Sequence, residues 1–184
     1  MRGQRIIGVF GLSGVGKSTL ISQARRAVTS SLHLQASALI KDGLRHPEAT
    51  SESLRQRPRE QVRSNQDVLV DTFWRAVRSQ PEPLVIFDGH LVIDTDNGLV
   101  EIPQEVIEEL RLLVMVHVED DAAKIAERRA RDRRRTRPVR SEEALDEHQQ
   151  LSRRLCESYA SALGATMAVC RPEELDRFKS FLTR

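Results

Sequence analysis

Gly11-Leu-Ser-Gly-Val-Gly-Lys-Ser18 carries the spacing G-x-x-x-x-G-K-[ST], the pattern of a backbone loop that wraps a polyphosphate. Glycines at 11, 14 and 16 allow a tight turn with inward-facing N–H groups, and a helix starting near Lys17 adds the positive end of its dipole. The expected chemistry is binding of ATP or GTP, with Lys17 reaching the β- and γ-phosphates and Ser18 ligating Mg²⁺. Gly11, Ser13, Gly14, Val15, Gly16, Lys17, Ser18 and Thr19 are therefore the expected nucleotide contacts. Composition singles out the lysine: the chain holds four (Lys17, Lys41, Lys124, Lys179) among 29 basic residues, so a basic residue placed without constraint would be arginine.

Asp88 closes the apolar run Leu84-Val-Ile-Phe87, which puts a carboxylate at the C-terminal edge of a strand, on the side where open α/β sheets bind ligands. It is expected to hold the Mg²⁺ shell or to orient or deprotonate an acceptor; capping the turn at Gly89 is the plain structural alternative. His90 follows at once and is placed at the acceptor site. The other dense signal is Arg128–Arg140, with eight arginines in thirteen residues. Arg128, Arg131 and Arg135 would share one helical stripe and Arg129, Arg133 and Arg137 its neighbour. Arg134 and Arg140 are expected to be solvated charges. Such a segment can neutralise a phosphoryl group in flight, where one arginine contributes roughly 10³–10⁵ in rate. An arginine cluster also neutralises a polynucleotide backbone, and that rival stays open.

The elements that must position these groups alternate. Short β-branched runs recur at Ile6–Phe10, Leu84–Phe87, Leu112–Val118 and Thr166–Cys170, with a weaker one at Leu32–Ala36, and helical patterns lie between them. This is the alternation of an α/β fold with a parallel sheet covered on both faces. Ser37–Gln80 contains no strand; from Pro58 it reads as a helix with Val62, Gln66, Leu69, Phe73 and Val77 on one face, stopped by Pro81 and Pro83. Pro103 opens a short helix to Leu110. Glu119-Asp-Asp121 starts another, running toward Arg137 until Pro138 breaks it. Ser141 with Glu142 and Glu143 reads as the N-cap and acidic first turn of a long helix that Gly164 stops.

With 184 residues the chain has room for one domain with a substantial core. A formal charge of +2 with 30% charged residues is too balanced to signal a nucleic-acid binder by itself. The few apolar residues ahead of the glycine loop are too short for a secretory core or a membrane span, so a cytoplasmic location is expected. Cys156 and Cys170 have no metal-ligand spacing and read as reduced packing residues.

Taken together, these residues resemble the small adenylate kinases of the archaeal type and their bacterial relatives, kinase-like P-loop ATPases. The resemblance runs from Ile6 to about Thr166. It is carried by the glycine loop with Lys17-Ser18-Thr19, by Asp88-x-His90 followed by Gly98 and Ile102-Pro103, by Arg128-Arg129-x-x-Asp132-x-x-Arg135-x-Arg137, and by Glu147-His148-Gln149 leading to Tyr159 and Gly164-Ala-Thr166. Gly89 stands where the family commonly has Thr, and Pro138 where it commonly has an acid. The resemblance implies a P-loop NTPase fold with a five-stranded parallel sheet. It makes 37–80 a helical insertion receiving a nucleoside monophosphate through Arg55 and Gln66, and 128–140 a short lid. Arg135 and Arg137 would clamp phosphates of both nucleotides, one of Arg128 and Arg129 would lie against the ATP adenine, and the protein would be a homo-oligomer.

The expected function is Mg²⁺-dependent transfer of the ATP γ-phosphoryl group to a nucleoside monophosphate, AMP favoured, with Lys17, Asp88, Arg135 and Arg137 as the catalytic set. Two alternatives stand beside it. One is a kinase of hydroxyl groups, on a small molecule or a nucleic-acid 5′ end, with Asp88 as base. The other is a nucleotide-dependent regulatory ATPase acting through a partner.

Overall fold

Each apolar run becomes a buried strand, and the pleat divides its residues between two cores. In strand β1 (Arg5–Phe10), Ile6 and Phe10 face one side of the sheet and Ile7 and Val9 the other, as a period of two requires. The protein, seen in a computed structural model that describes residues 3–28, 30–44, 59–132 and 137–183 and the side chains of all but 59–65 among them, builds a five-stranded sheet. The other strands are β2 (Ser31–Gln35), β3 (Leu84–Asp88), β6 (Val114–Val118) and β7 (Thr166–Cys170), in the order β2-β3-β1-β6-β7, every pairing parallel. Among the described residues no helix is long and apolar enough to cross a membrane.

The first core face takes Phe10, Phe87, Met115 and Leu110 against α3 (Arg59–Ser79), α4 (Gln104–Glu109) and part of α6 (Glu142–Leu163). Gln66, Leu69, Phe73 and Val77 are buried along α3 at the spacing read from the sequence, and the Val62 side chain lies outside those described. The second face packs Ile7, Val9, Ile86 and Val116 under α1 (Lys17–Arg25), α5 (Ala122–Arg131) and α7 (Leu175–Thr183). α2 (Ala36–Gly43) follows β2 directly, so that strand ends at Gln35 and not at Ala36. Ser141 caps α6 by accepting from the Ala144 N–H at 3.2 Å, and Gly164 ends it. Cys156 and Cys170 are free and buried, and burial pushes their thiols up to about 12 and about 11.

Three further features depart from the sequence-based expectation. Between β3 and α4 the chain forms an antiparallel hairpin, β4 (Val92–Thr95) with β5 (Gly98–Glu101), joined through Asp96-Asn97 and pairing Asp94 with Leu99. Leu112–Val118 is strand only from Val114. And α5 stops at Arg131, six residues before the expected Arg137: Asp132 turns the backbone to ψ 88, and its carboxylate accepts from Arg137 NH2 at 2.7 Å. Crowded like charges weaken a continuing helix, and this ion pair takes its place.

Candidate active site

The phosphate loop leaves the central strand β1 and enters α1, so it lies at the C-terminal edge of the sheet, the ligand-binding edge of open α/β folds. Gly11 adopts φ 138, and a Cβ there would run into the Val118 carbonyl oxygen on the neighbouring strand. Gly14 adopts φ 88 with the Arg129 side chain 2.9 Å from where its Cβ would be. Only glycine gives both the left-handed turn and this close approach.

Lys17 is buried, 5% exposed. Its Nζ donates to the Gly11 carbonyl at 2.8 Å and the Leu12 carbonyl at 3.1 Å and lies 3.4 Å from His90 Nδ1. His90 Nδ1 is 2.7 Å from the same Gly11 oxygen, so that nitrogen carries the proton and donates. Ser18 and Thr19 open on a cavity of about 670 Å³ that runs from the loop to α2, α3 and the β4–β5 hairpin.

Asp88, buried at the end of β3, faces that cavity. Its Oδ2 accepts from Gln35 Nε2 at 3.4 Å and lies 3.6 Å from His33 Nε2. Burial raises its pKa, but His33, Lys17 and His90 together outweigh that and hold it below the ordinary carboxylate range. It is therefore ionised at neutral pH and fit to ligate a cation or accept a hydrogen bond. Of the expected acceptor contacts, Gln66 and His90 line the same cavity; Arg55 lies outside the described residues.

Three arginines converge on the loop, each also paired with a carboxylate. Arg128 donates to the Val15 carbonyl at 3.1 Å and to Asp120 at 2.6 Å. Arg129 donates to the Ser13 carbonyl at 2.9 Å and to Asp94 at 3.1 Å. Arg137 donates through Nε to Ser13 Oγ at 3.0 Å and through NH2 to Asp132, while its NH1 is buried with no hydrogen-bond partner among the described residues. Arg131, expected to share the Arg128 stripe, is instead an exposed residue paired with Glu127 at 2.6 Å. Arg133, Arg134 and Arg135 lie outside the described residues.

Arg140 is not the solvated charge that the sequence reading made it. Its Nε and NH2 both donate to Asp94 Oδ1, at 3.1 and 3.0 Å, and NH2 also donates to the Thr95 carbonyl at 3.0 Å. The acids that hold the arginines, Asp94 and Asp120, were not singled out from sequence. Gln149, which the resemblance quoted without a role, exchanges hydrogen bonds through its amide with the Asp120 backbone at 2.9 and 3.0 Å. The hairpin bearing Asp94 had a readable signal: Asp96-Asn97-Gly98 between Val92-Ile93 and Leu99-Val100 is turn chemistry between strand-forming residues.

A profile of the AAA domain family matches residues 10–146. The adenylate kinase of Thermococcus onnurineus (strain NA1) is 31% identical over 176 residues, spanning 92% of this chain and 87% of that protein. The adenylate kinase of Methanoculleus marisnigri (strain ATCC 35101 / DSM 1498 / JR1) is 28% identical over 180 residues, spanning 94% and 92%. Among solved structures, shikimate kinase from Acinetobacter baumannii in complex with shikimate superposes with a TM-score of 0.60 at 15% identity, covering 98% of this chain and 93% of that one. That last likeness is one of fold.

Proposed function

This chain belongs to the AAA domain family and is an adenylate kinase-like P-loop phosphotransferase acting as a nucleotide kinase; from that premise we propose that it transfers the γ-phosphoryl group of Mg²⁺-bound ATP to a nucleoside monophosphate, with AMP the first choice. The observation that carries this reading is the convergence of Arg128, Arg129 and Arg137 on the glycine loop, with a buried nitrogen on Arg137 that has no hydrogen-bond partner among the described residues. An orphaned cationic donor in a cavity wall is satisfied by an anion. Phosphoryl transfer asks the protein mainly to align the partners and neutralise charge. An acceptor phosphate is already anionic at neutral pH, so the absence of a catalytic base from this scheme is no obstacle.

In this scheme Lys17 exchanges the Gly11 and Leu12 carbonyls for the β- and γ-phosphates, and the loop amides of Gly14 to Thr19 hold the polyphosphate. Ser18 and the ionised Asp88 would hold Mg²⁺, whose charge offsets that of the transferred group. Arg137, with Arg135, neutralises the phosphoryl oxygens, and Arg128 and Arg129 serve the donor nucleotide. On the acceptor side 37–80 forms the receiving insertion: Arg55 takes the monophosphate, and Gln66 stands among Ile40 and Leu69 where a flat base has an apolar wall and an amide at its edge. The segment 128–140 is the lid. The test is incubation with Mg-ATP and a panel of nucleoside monophosphates, with diphosphates as the product read. ADP formed in proportion to added AMP is expected; no acceptor-dependent diphosphate from any monophosphate overturns the reading.

A second reading, a kinase of hydroxyl groups, draws on the buried, ionised Asp88 at the cavity wall, which has the reach and charge of a general base. Asp88→Asn separates the two. A monophosphate kinase is expected to recover part of its turnover when Mg²⁺ is raised. A hydroxyl kinase is expected to stay inactive with Mg²⁺ saturating.

A further inference from the structure

Asp94 has no counterpart in the scheme above, yet it lines the cavity and holds two arginines of the Arg-rich segment at once. Its side chain, 8% exposed, accepts three charge-assisted hydrogen bonds: one from Arg129 NH1 on Oδ2 and two from the side-on guanidinium of Arg140 on Oδ1. These two arginines bracket the Arg-rich segment. Arg129 lies in the last turn of α5, and Arg140 immediately precedes Ser141, the N-cap of α6. Arg129 continues to the Ser13 carbonyl in the phosphate loop. One carboxylate on a hairpin thus joins both roots of the segment to each other and, through Arg129, to the loop.

The hairpin is a firm support. Thr95 Oγ1 donates to the Gly98 carbonyl at 2.6 Å and accepts from the Asn97 N–H at 3.2 Å, closing the turn. Its other end is tied by the Ile102 N–H to the Leu91 carbonyl at 2.9 Å and by the Tyr159 hydroxyl to the Ile102 carbonyl at 2.8 Å. Two N–H groups of Arg140 converge on Oδ1 while Oδ2 takes Arg129, so each carboxylate oxygen holds one end of the segment by charge-assisted hydrogen bonds. Without the carboxylate the two guanidinium groups lose their shared counter-charge, and for the buried Arg129–Asp94 pair removing one partner is strongly unfavourable.

We propose that Asp94 is a positioning residue for phosphoryl transfer, setting the start and the end of the 128–140 segment against the phosphate loop. The inference rests on the reading of that segment as the lid of a nucleotide kinase. Its experiment compares wild type with Asp94→Asn, Arg140→Ala and the double variant. Three quantities are read: the rate of tryptic cleavage between Arg128 and Arg140, the steady-state kcat and KM for ATP, and the thermal midpoint.

Asp94→Asn is expected to be cleaved in that segment about tenfold faster and to lose about tenfold or more in kcat, with KM for ATP moved less than about threefold. Arg140→Ala should show the faster cleavage with a smaller kcat loss, since Arg129 keeps its acid. The double variant should be no more than about twofold worse than Asp94→Asn, because both changes cut the same link. Wild-type cleavage rates in both single variants, a kcat within about twofold for Asp94→Asn, or losses that simply multiply in the double variant overturns the proposal. Should Asp94→Asn fail to fold, Arg140→Ala decides by the same cleavage rate. Should no monophosphate serve as acceptor, the proposed function falls, while tryptic cleavage and ATP hydrolysis still decide the role of Asp94.

Discussion

The two ends of the cavity hold their shape by different means. At the phosphate loop, Lys17, Arg128, Arg129 and Arg137 are positioned by carbonyl oxygens of the loop itself and by Asp94, Asp120 and Asp132. At the far end, Ile40, Leu69, Phe87, Ile102 and Ile107 make the wall, with Gln35, Ser37 and Gln66 as its polar groups. The ring of Phe73 stands edge-on against Phe87, 5.7 Å between centroids, behind that wall. Charge fixes the first end and packing the second. Four cations in one place would repel each other, so each arginine arrives with its own carboxylate. The apolar end needs no such partners and is determined by volume. A substitution at the loop should therefore remove function and leave the fold, and one behind the apolar wall should do the reverse.

The largest effect is expected at Lys17. Lys17→Ala removes the cation that meets the polyphosphate, so turnover should fall by about 10³-fold or more. The fold should be retained, because the β1–β3 and β1–β6 pairings do not involve this side chain. Steady-state ATP consumption together with a thermal melt reads both halves of the statement. Near-normal consumption by the folded variant would break the comparison at once, since the loop would then not be the donor site.

The converse is Phe73→Ala. Phe73 is fully buried and touches Phe87 and Trp74 edge-on, and deleting such a ring typically costs about 3–5 kcal/mol of stability. Urea unfolding should show that loss, while kcat per folded molecule changes less than about tenfold. A variant with full stability and lost turnover would show that the apolar end does chemistry of its own.

This division also explains what could be read from the sequence. The loop, Asp88 and the α3 stripe announce themselves because their signals are local: a fixed spacing, a carboxylate at a strand end, and apolar residues three and four apart. The arginines were visible as a group but not by role. Arg131 and Arg140 lie in the same run, yet Arg131 pairs with Glu127 on an exposed helix face and Arg140 with a carboxylate 46 residues away. Helical stripes predict neighbours along one helix, and the helix ends at Arg131. Asp94 and Asp120 acquire their partners only when the hairpin and the β6–α5 junction are brought to the loop, which no spacing within the chain encodes. The hairpin itself was legible in Asp96-Asn97-Gly98 but is short, four residues to a strand, and sits between two stronger signals.

His117 provides the smallest and most selective test of the charged end. It pairs with Phe10 across β1 and β6, is fully buried, and lies 3.1 Å through Nε2 from Ser152 Oγ. Burial, then the positive charges of Lys17 and Arg153, lower its pKa from 6.5 to about 3. The folded protein therefore keeps this imidazole neutral where the unfolded chain protonates it. Between those two values the unfolded state binds more protons, so stability rises with pH across the window and is lost as pH falls below 6.5. From pH 6.5 to about pH 5 this group alone should remove about 2 kcal/mol. His117→Gln keeps a polar tip near Ser152 but cannot titrate. Urea unfolding of both proteins at neutral pH and at about pH 5 should show the wild type losing about 2 kcal/mol more than the variant. His148, whose pKa is also lowered by burial, is present in both and cancels. Asp88, held below the carboxylate range, contributes only at more acid pH. Equal losses in the two proteins would mean that His117 titrates as it does in water, and that burial on the strand beneath the phosphate loop does not keep its imidazole neutral.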